Sequence, residues 1–116
     1  MEKPRLEELT ALHQALADAT RLRIIRLLLV RPCCVCELVG ALEEPQYKIS
    51  RHLSVLREAG LVQDEREGAF SIYRLTDEAD RRWRPALEAL AGIWEASPQV
   101  AAARERLASI NFRCAK

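Results

Sequence analysis

Apolar residues recur at helical spacing over the first half of this chain. Leu6, Leu9, Leu12 and Leu16 alternate with Glu7, Glu8, His13, Gln14 and Asp18, which predicts an amphipathic helix from about Leu6 to Ala17. Asp18 or Thr20 can cap a second helix whose Leu22, Ile25, Leu28 and Leu29 face inward. Ile24 and Leu27 widen its apolar surface, so this helix should be covered on most sides. After Pro32, the residues Val35, Leu38, Val39 and Leu42 suit a short third helix ending near Glu43-Glu44-Pro45. A fourth helix should run from Pro45 or Gln46 to Ala59, with Ile49, Leu53 and Leu56 as its buried stripe. Gly60 stands where a left-handed residue ends a helix.

Beyond Gly60 the period changes. Leu61 to Arg66 and Ala69 to Leu75 are two runs with β-branched and aromatic residues flanking Glu67-Gly68, which predicts a hairpin. Thr76 then opens a polar turn. Trp83, Leu87, Leu90 and Trp94 form an apolar helical stripe with Pro85 tolerable in the first turn, and Ser97-Pro98 starts a last helix carrying Val100, Leu107 and Ile110. There is no internal repeat and no low-complexity tract. The predicted fold is mainly α with a small β-hairpin, in one domain over 1–116.

Composition narrows the classes. A chain of 116 residues with 49% hydrophobic residues can bury a core without staples. Charged residues make up 30%, and the longest apolar run, Ile24 to Val30, is broken by Arg26, which argues against a membrane partner. Met1-Glu2-Lys3-Pro4-Arg5 lacks the basic-then-apolar order of a signal peptide, which predicts a cytoplasmic chain. The formal net charge of +1 does not advertise a nucleic-acid binder, so that reading rests on local arrangement.

Two short helices joined by a tight turn and followed at once by a hairpin make a winged helix-turn-helix. Opposite the stripe of the fourth helix lie Gln46, Tyr47, Lys48, Ser50, Arg51 and Ser54, and no acid occurs from Gln46 to Arg57. Gln and Arg can bond base edges in two places, while Lys and Ser suit phosphates. His52 is counted with this set; its other reading is to pack or hydrogen-bond the helix. Arg66, near the hairpin tip, should touch phosphate. An enzyme lacks parts here: there is no Gly-rich phosphate loop and no nucleophile with a His partner.

Three longer matches support the same reading. Ala15 to Ile25, Cys34-Val35-Cys36-Glu37-Leu38, and Lys48 to Leu53 followed by Leu56 to Val62 resemble the ArsR/SmtB family of metal-responsive repressors, in its arsenic-responsive branch. The hairpin ending Tyr73-Arg74-Leu75 resembles that family's wing. The family's "DPT" is Asp18-Ala19-Thr20 here, and Pro45-Gln46-Tyr47 replaces the usual capping Ser of the recognition helix. The resemblance implies a winged-helix homodimer, with helix-turn-helix about 34–59, wing about 61–75 and dimerisation helices about 6–17 and 80–110. It implies a repressor of double-stranded operator DNA that dissociates when a metal or metalloid binds.

Four cysteines remain. In a chain that folds without crosslinks, Cys33, Cys34, Cys36 and Cys114 read as metal or redox chemistry rather than structural disulfides. Thiolates are soft ligands and suit arsenite, antimonite, cadmium or lead. By resemblance, Cys34 and Cys36 match the first two cysteines of the arsenic-responsive pattern, and the third falls at Val39; the expected third sulfur is Cys33, with Cys114 as the next candidate. The expected inducer is trivalent arsenic (arsenite) or antimonite, with no organic cofactor; thiol-based redox sensing and cadmium or lead sensing are the alternatives. Residues two apart in a helix point about 200° apart. The expectation is therefore that Cys34 and Cys36 can share an ion only if the third helix unwinds at its start, whereas Cys33 and Cys36 could meet on an intact one.

Overall fold

The structure is a computed structural model that describes residues 3–110. Helices α1 (Leu6–Leu16) and α2 (Ala19–Val30) meet at Asp18, whose carboxylate accepts from the backbone N–H of Thr20 at 2.8 Å and of Arg21 at 3.1 Å. Of the two capping candidates, Asp18 is the one used. Ile24, Ile25, Leu27 and Leu28 of α2 are all buried, so this helix is the axis of the core. Each such side chain contributes about 1.5–3 kcal/mol of transfer free energy.

Helices α3 (Val35–Leu42) and α4 (Gln46–Glu58) pack on α2 through Leu38, Leu42, Ile49, Leu53 and Leu56. The turn between them needs one left-handed residue, Glu43, at φ 56°. Gly60 ends α4 at φ 80°, where a side chain would be strained.

Three strands follow the antiparallel order β1-β3-β2, with β1 at Cys33–Cys34, β2 at Val62–Glu67 and β3 at Phe70–Leu75. Glu67 pairs with Phe70, so the hairpin turn is Gly68-Ala69, one residue later than the pattern suggested. Of these two turn residues only Gly68 has positive φ, the signature of a type II′ turn. The sequence pattern did not predict β1. It pairs Cys33 with Tyr73 and Cys34 with Ile72, and two residues are too few to carry a period.

A further short helix, α5 (Asp77–Arg82), replaces the polar turn expected after Thr76. Thr76 caps it by accepting from Ala79 N–H at 3.0 Å. It buries only Ala79, so it has no apolar stripe to read. Helix α6 (Arg84–Trp94) buries Leu87 and Ala91, with Trp94 packed at the core's edge. Leu90 was expected on that stripe but is 38% exposed, on the outer face near Ile93 at 69%. Trp83 sits at the junction of α5 and α6.

Helix α7 (Pro98–Ser109) buries Val100, Ala103 and Leu107 and lies against α2 and α3. Its contact with α3 is close. A Cβ added at Gly40 would stand 3.2 Å from Ile110 Cδ1, and Arg106 donates to the Ala41 carbonyl at 2.7 Å. Among the described residues no helix is long and apolar enough to cross a membrane.

Candidate functional site

Cys33 and Cys34 lie in extended backbone, so their side chains leave opposite faces of β1. Cys33 joins the main core and donates its S–H to the Arg31 carbonyl at 3.4 Å. Cys34 clusters instead with Ile72 of β3 and with Cys36. Cys34 is also the N-cap of α3, at φ −88° and ψ 167°. From that position its sulfur reaches over the first helical turn and stands 3.4 Å from Cys36 Sγ.

This corrects the expected geometry. Cys34 is not helical, the 200° rule does not apply to it, and no unwinding is needed to bring the two sulfurs together. Cys33 and Cys36 do not share a helix either, so Cys33 loses the geometric argument that recommended it as third donor. Cys114 lies outside the described residues. Among the described residues no third His, Cys, Asp or Glu joins the pair in a metal-binding group.

The spacing of the pair suits one soft ion. Sulfurs each about 2.3 Å from a shared ion lie about 3.3–3.8 Å apart for angles of about 90–110° at that ion. A covalent S–S bond is far shorter, about 2.05 Å. Two residues that the sequence reading passed over frame the site. Glu37, 1% exposed, accepts from Cys34 N–H at 2.9 Å, and its other oxygen pairs with Arg31 at 3.1 Å. The signal was present: Cys34-x-x-Glu37 is a capping box with Cys in the serine position.

On its outer face α4 exposes Gln46, Tyr47 and Arg51, Tyr47 at 69%, with Lys48, Ser50 and Ser54 half-buried. Pro45 is the N-cap and no side chain caps the helix, so its first backbone N–H groups have no side-chain acceptor. Arg51 has no ion-pair partner among the described residues. Lys48 does have one: Glu44, just before the helix, holds it at 3.1 Å and holds Arg23 at 3.0 Å. Hydrogen bonds from Lys48 and then Arg23, opposed by burial, keep the Glu44 carboxyl below its ordinary range. Arg57 is likewise occupied by Asp64 at 3.1 Å. Arg66 is exposed on β2, one residue from the turn.

His52 is corrected. Its ring is buried against the start of α2, where an Arg21 guanidinium N–H donates to Nδ1 at 3.2 Å and Asp18 stands at 3.8 Å. An arginine only donates, so Nδ1 is the acceptor and the ring proton is on Nε2. Burial, then the charges of Arg21, Arg51 and Lys48, lower the His52 pKa against the raising effect of Asp18. The ring is packed between α4 and the start of α2 rather than exposed with Gln46, Tyr47 and Arg51.

A helix-turn-helix followed by a β2-β3 hairpin that β1 extends to three strands, with an uncapped and cation-bearing second helix, defines a winged-helix DNA-binding protein. Comparison with known proteins narrows the class. The family described as "Bacterial regulatory protein, arsR family" matches residues 18–64. The arsenic resistance transcriptional regulator ArsR1 of Pseudomonas putida is 47% identical over 88 residues, covering 74% of this chain and 66% of that protein. The arsenical resistance operon repressor of Escherichia coli is 50% identical over 66 residues, 56% of either chain. The chain thus spans less than two thirds of these relatives' lengths. The transcriptional repressor BigR of Xylella fastidiosa has the same fold, with a TM-score of 0.67 at 30% identity, over 78% of this chain and 86% of that one. A homodimeric winged helix-turn-helix domain of Mycobacterium bovis matches with a TM-score of 0.66 at 28% identity, over 80% and 87%. The chain belongs to the ArsR family, whose members are transcriptional regulators and not enzymes.

Proposed function

We propose that this chain is a homodimeric repressor that leaves operator DNA when trivalent arsenic or antimony binds the thiols of Cys34 and Cys36. The observation that carries the reading is the 3.4 Å spacing of those two sulfurs at the start of α3, inside the helix-turn-helix. Relatives named for arsenic resistance support the metalloid. DNA is bound by Gln46, Tyr47, Lys48, Ser50, Arg51 and Ser54 of α4 and by Arg66 of the wing. One protomer carries one recognition helix, and two half-sites about 34 Å apart require two. Residues 6–17 and 80–110 supply the dimer surface, and the outward Leu90 and Ile93 fit that use.

Trivalent arsenic hydroxide supplies an electrophilic centre for thiols. Each sulfur forms one bond to arsenic as one hydroxide leaves, and hydroxide plus the thiol proton depart as water. Cys114 is the third donor proposed here. Ile110 lies against Gly40, one helical turn from Cys36, and Cys114 is four residues further on, within about 14 Å of chain.

The route to DNA then runs through two elements at once. Cys36 belongs to α3, which supports α4, while Cys34 is laddered to Ile72 in the wing strand β3. Closing three sulfurs on one ion pulls on both. Favouring the released state by a few kcal/mol is enough to empty an operator.

A duplex-shift titration with arsenite, antimonite, cadmium, lead and a mild oxidant tests the reading. Arsenite and antimonite should release the DNA, and the Cys34→Ser/Cys36→Ser variant should hold it throughout. Release by arsenite that persists in that variant would discard the site. The same sulfur proximity favours thiol oxidation as the second reading, in which oxidant alone releases DNA and a reductant restores binding.

A further inference from the structure

We propose that Glu37 is the positioning residue of the thiol site: its carboxylate fixes the Cys34 backbone and so holds Cys34 Sγ beside Cys36 Sγ. The inference rests on the thiol reading above. A buried carboxylate is costly unless both oxygens are engaged. Here both are. Oε1 accepts from Cys34 N–H at 2.9 Å, and Oε2 is held by Arg31 at 3.1 Å. Arg31 is itself tied down, donating to the Pro32 carbonyl at 3.1 Å. The clamp therefore runs from the end of α2, past β1, to the first turn of α3.

Its effect on the sulfurs is direct. Cys34 must stay extended at the N-cap for its side chain to reach over the helix start. Without an acceptor for its N–H, that backbone is free to relax and the sulfur spacing spreads. Groups that orient ligands without touching the ion change affinity by about 10–100-fold when removed. The Glu37 carboxylate bonds to Cys34 and Arg31 and not to α4, and the pairing of Cys34 with Ile72 of β3 remains in its absence, so DNA affinity without ligand should change far less than arsenite affinity. A glutamate that merely capped α3 would change stability and leave the affinity of the folded protein for arsenite alone.

The test is an arsenite titration of the whole protein, followed by sulfur-to-arsenic charge-transfer absorption, with hydrogen exchange at the Cys34 amide as a ligand-free readout. Glu37→Ala should bind arsenite about 10–100-fold more weakly and lose protection at that amide. Glu37→Gln, which still accepts the Cys34 N–H, should keep most of both. Arg31→Ala should fall between them, because the carboxylate stays but loses its anchor. Arsenite affinity equal to the parent's in folded Glu37→Ala would overturn the proposal. Should that variant not fold, unchanged affinity in Arg31→Ala overturns it instead. A parent protein with no charge-transfer band would remove the thiol reading and this inference with it, whereas a parent band unaffected by the variants removes the clamp alone.

Discussion

The two helices of the helix-turn-helix begin in opposite ways. The start of α3 is closed by its own chain: Cys34 is laddered to β3, its N–H is taken by Glu37, and the sulfurs are buried or half-buried. The start of α4 is left open, with Pro45 as N-cap, no side-chain cap, and Gln46 and Tyr47 in solvent. An unfilled helix N-terminus with a cation one turn on is suited to a phosphate chain. A filled one can only report to what it already touches. Under the proposed function, sensing falls to α3 and DNA contact to α4, and each prediction below strains one side of that division.

The largest expected effect separates neighbours. Cys34→Ser should keep DNA binding and lose release by arsenite, since a hydroxyl is a poor ligand for a soft ion. Cys33→Ser should do the reverse. It places a hydroxyl in the main core, costing about 1–3 kcal/mol of stability, while release by arsenite survives. Duplex-shift titrations with a denaturant melt of each variant decide it. A Cys33→Ser protein that is stable but deaf to arsenite would undo the assignment of the two cysteines to opposite faces.

On the DNA-contact side the effects are smaller and graded. Arg51→Ala should cost about 1–3 kcal/mol of specific binding, the usual weight of an arginine that reads a base. Lys48→Ala should cost less, because Glu44 already holds that ammonium at 3.1 Å. Arg66→Ala should weaken binding evenly across sequences and lower the salt slope by about one. Wild-type affinity in Lys48→Ala/Arg51→Ala would sink the recognition-helix reading.

Much of this architecture was legible because it is periodic or capped. Asp18, the Ile49/Leu53/Leu56 stripe, Gly60 and the hairpin each follow from a local rule. What was not legible depends on a partner distant in sequence. β1 exists only because β3 lies beside it, and its extended backbone turns Cys33 and Cys34 to opposite sides. Glu44 was read as the end of a helix, yet it folds back onto Lys48 and Arg23. His52 could be read either with the exposed polar set or as a packing residue, and the helix pattern alone does not decide between them. In three dimensions α2 covers it, and Arg21 reaches it across 31 positions.

That buried ring gives the smallest effect and the last test. Its pKa is lowered on folding from an ordinary 6.5, chiefly by burial and then by the nearby Arg21, Arg51 and Lys48 charges, with Asp18 resisting. Below pH 6.5 the unfolded chain therefore binds a proton at His52 more readily than the folded one does. Stability from this group is full above that pH and is lost as pH falls toward the folded value. Protonation also takes away the acceptor at Nδ1 and sets two cations against each other where α4 meets α2. DNA affinity should fall together with stability on mild acidification. His52→Gln keeps an acceptor for Arg21 and does not titrate, so both slopes should flatten in that variant. Melting curves and duplex shifts from pH about 7.5 to 5.5 bracket the free-histidine value. Stability that rises on acidification would mean that Asp18, rather than burial, governs the ring.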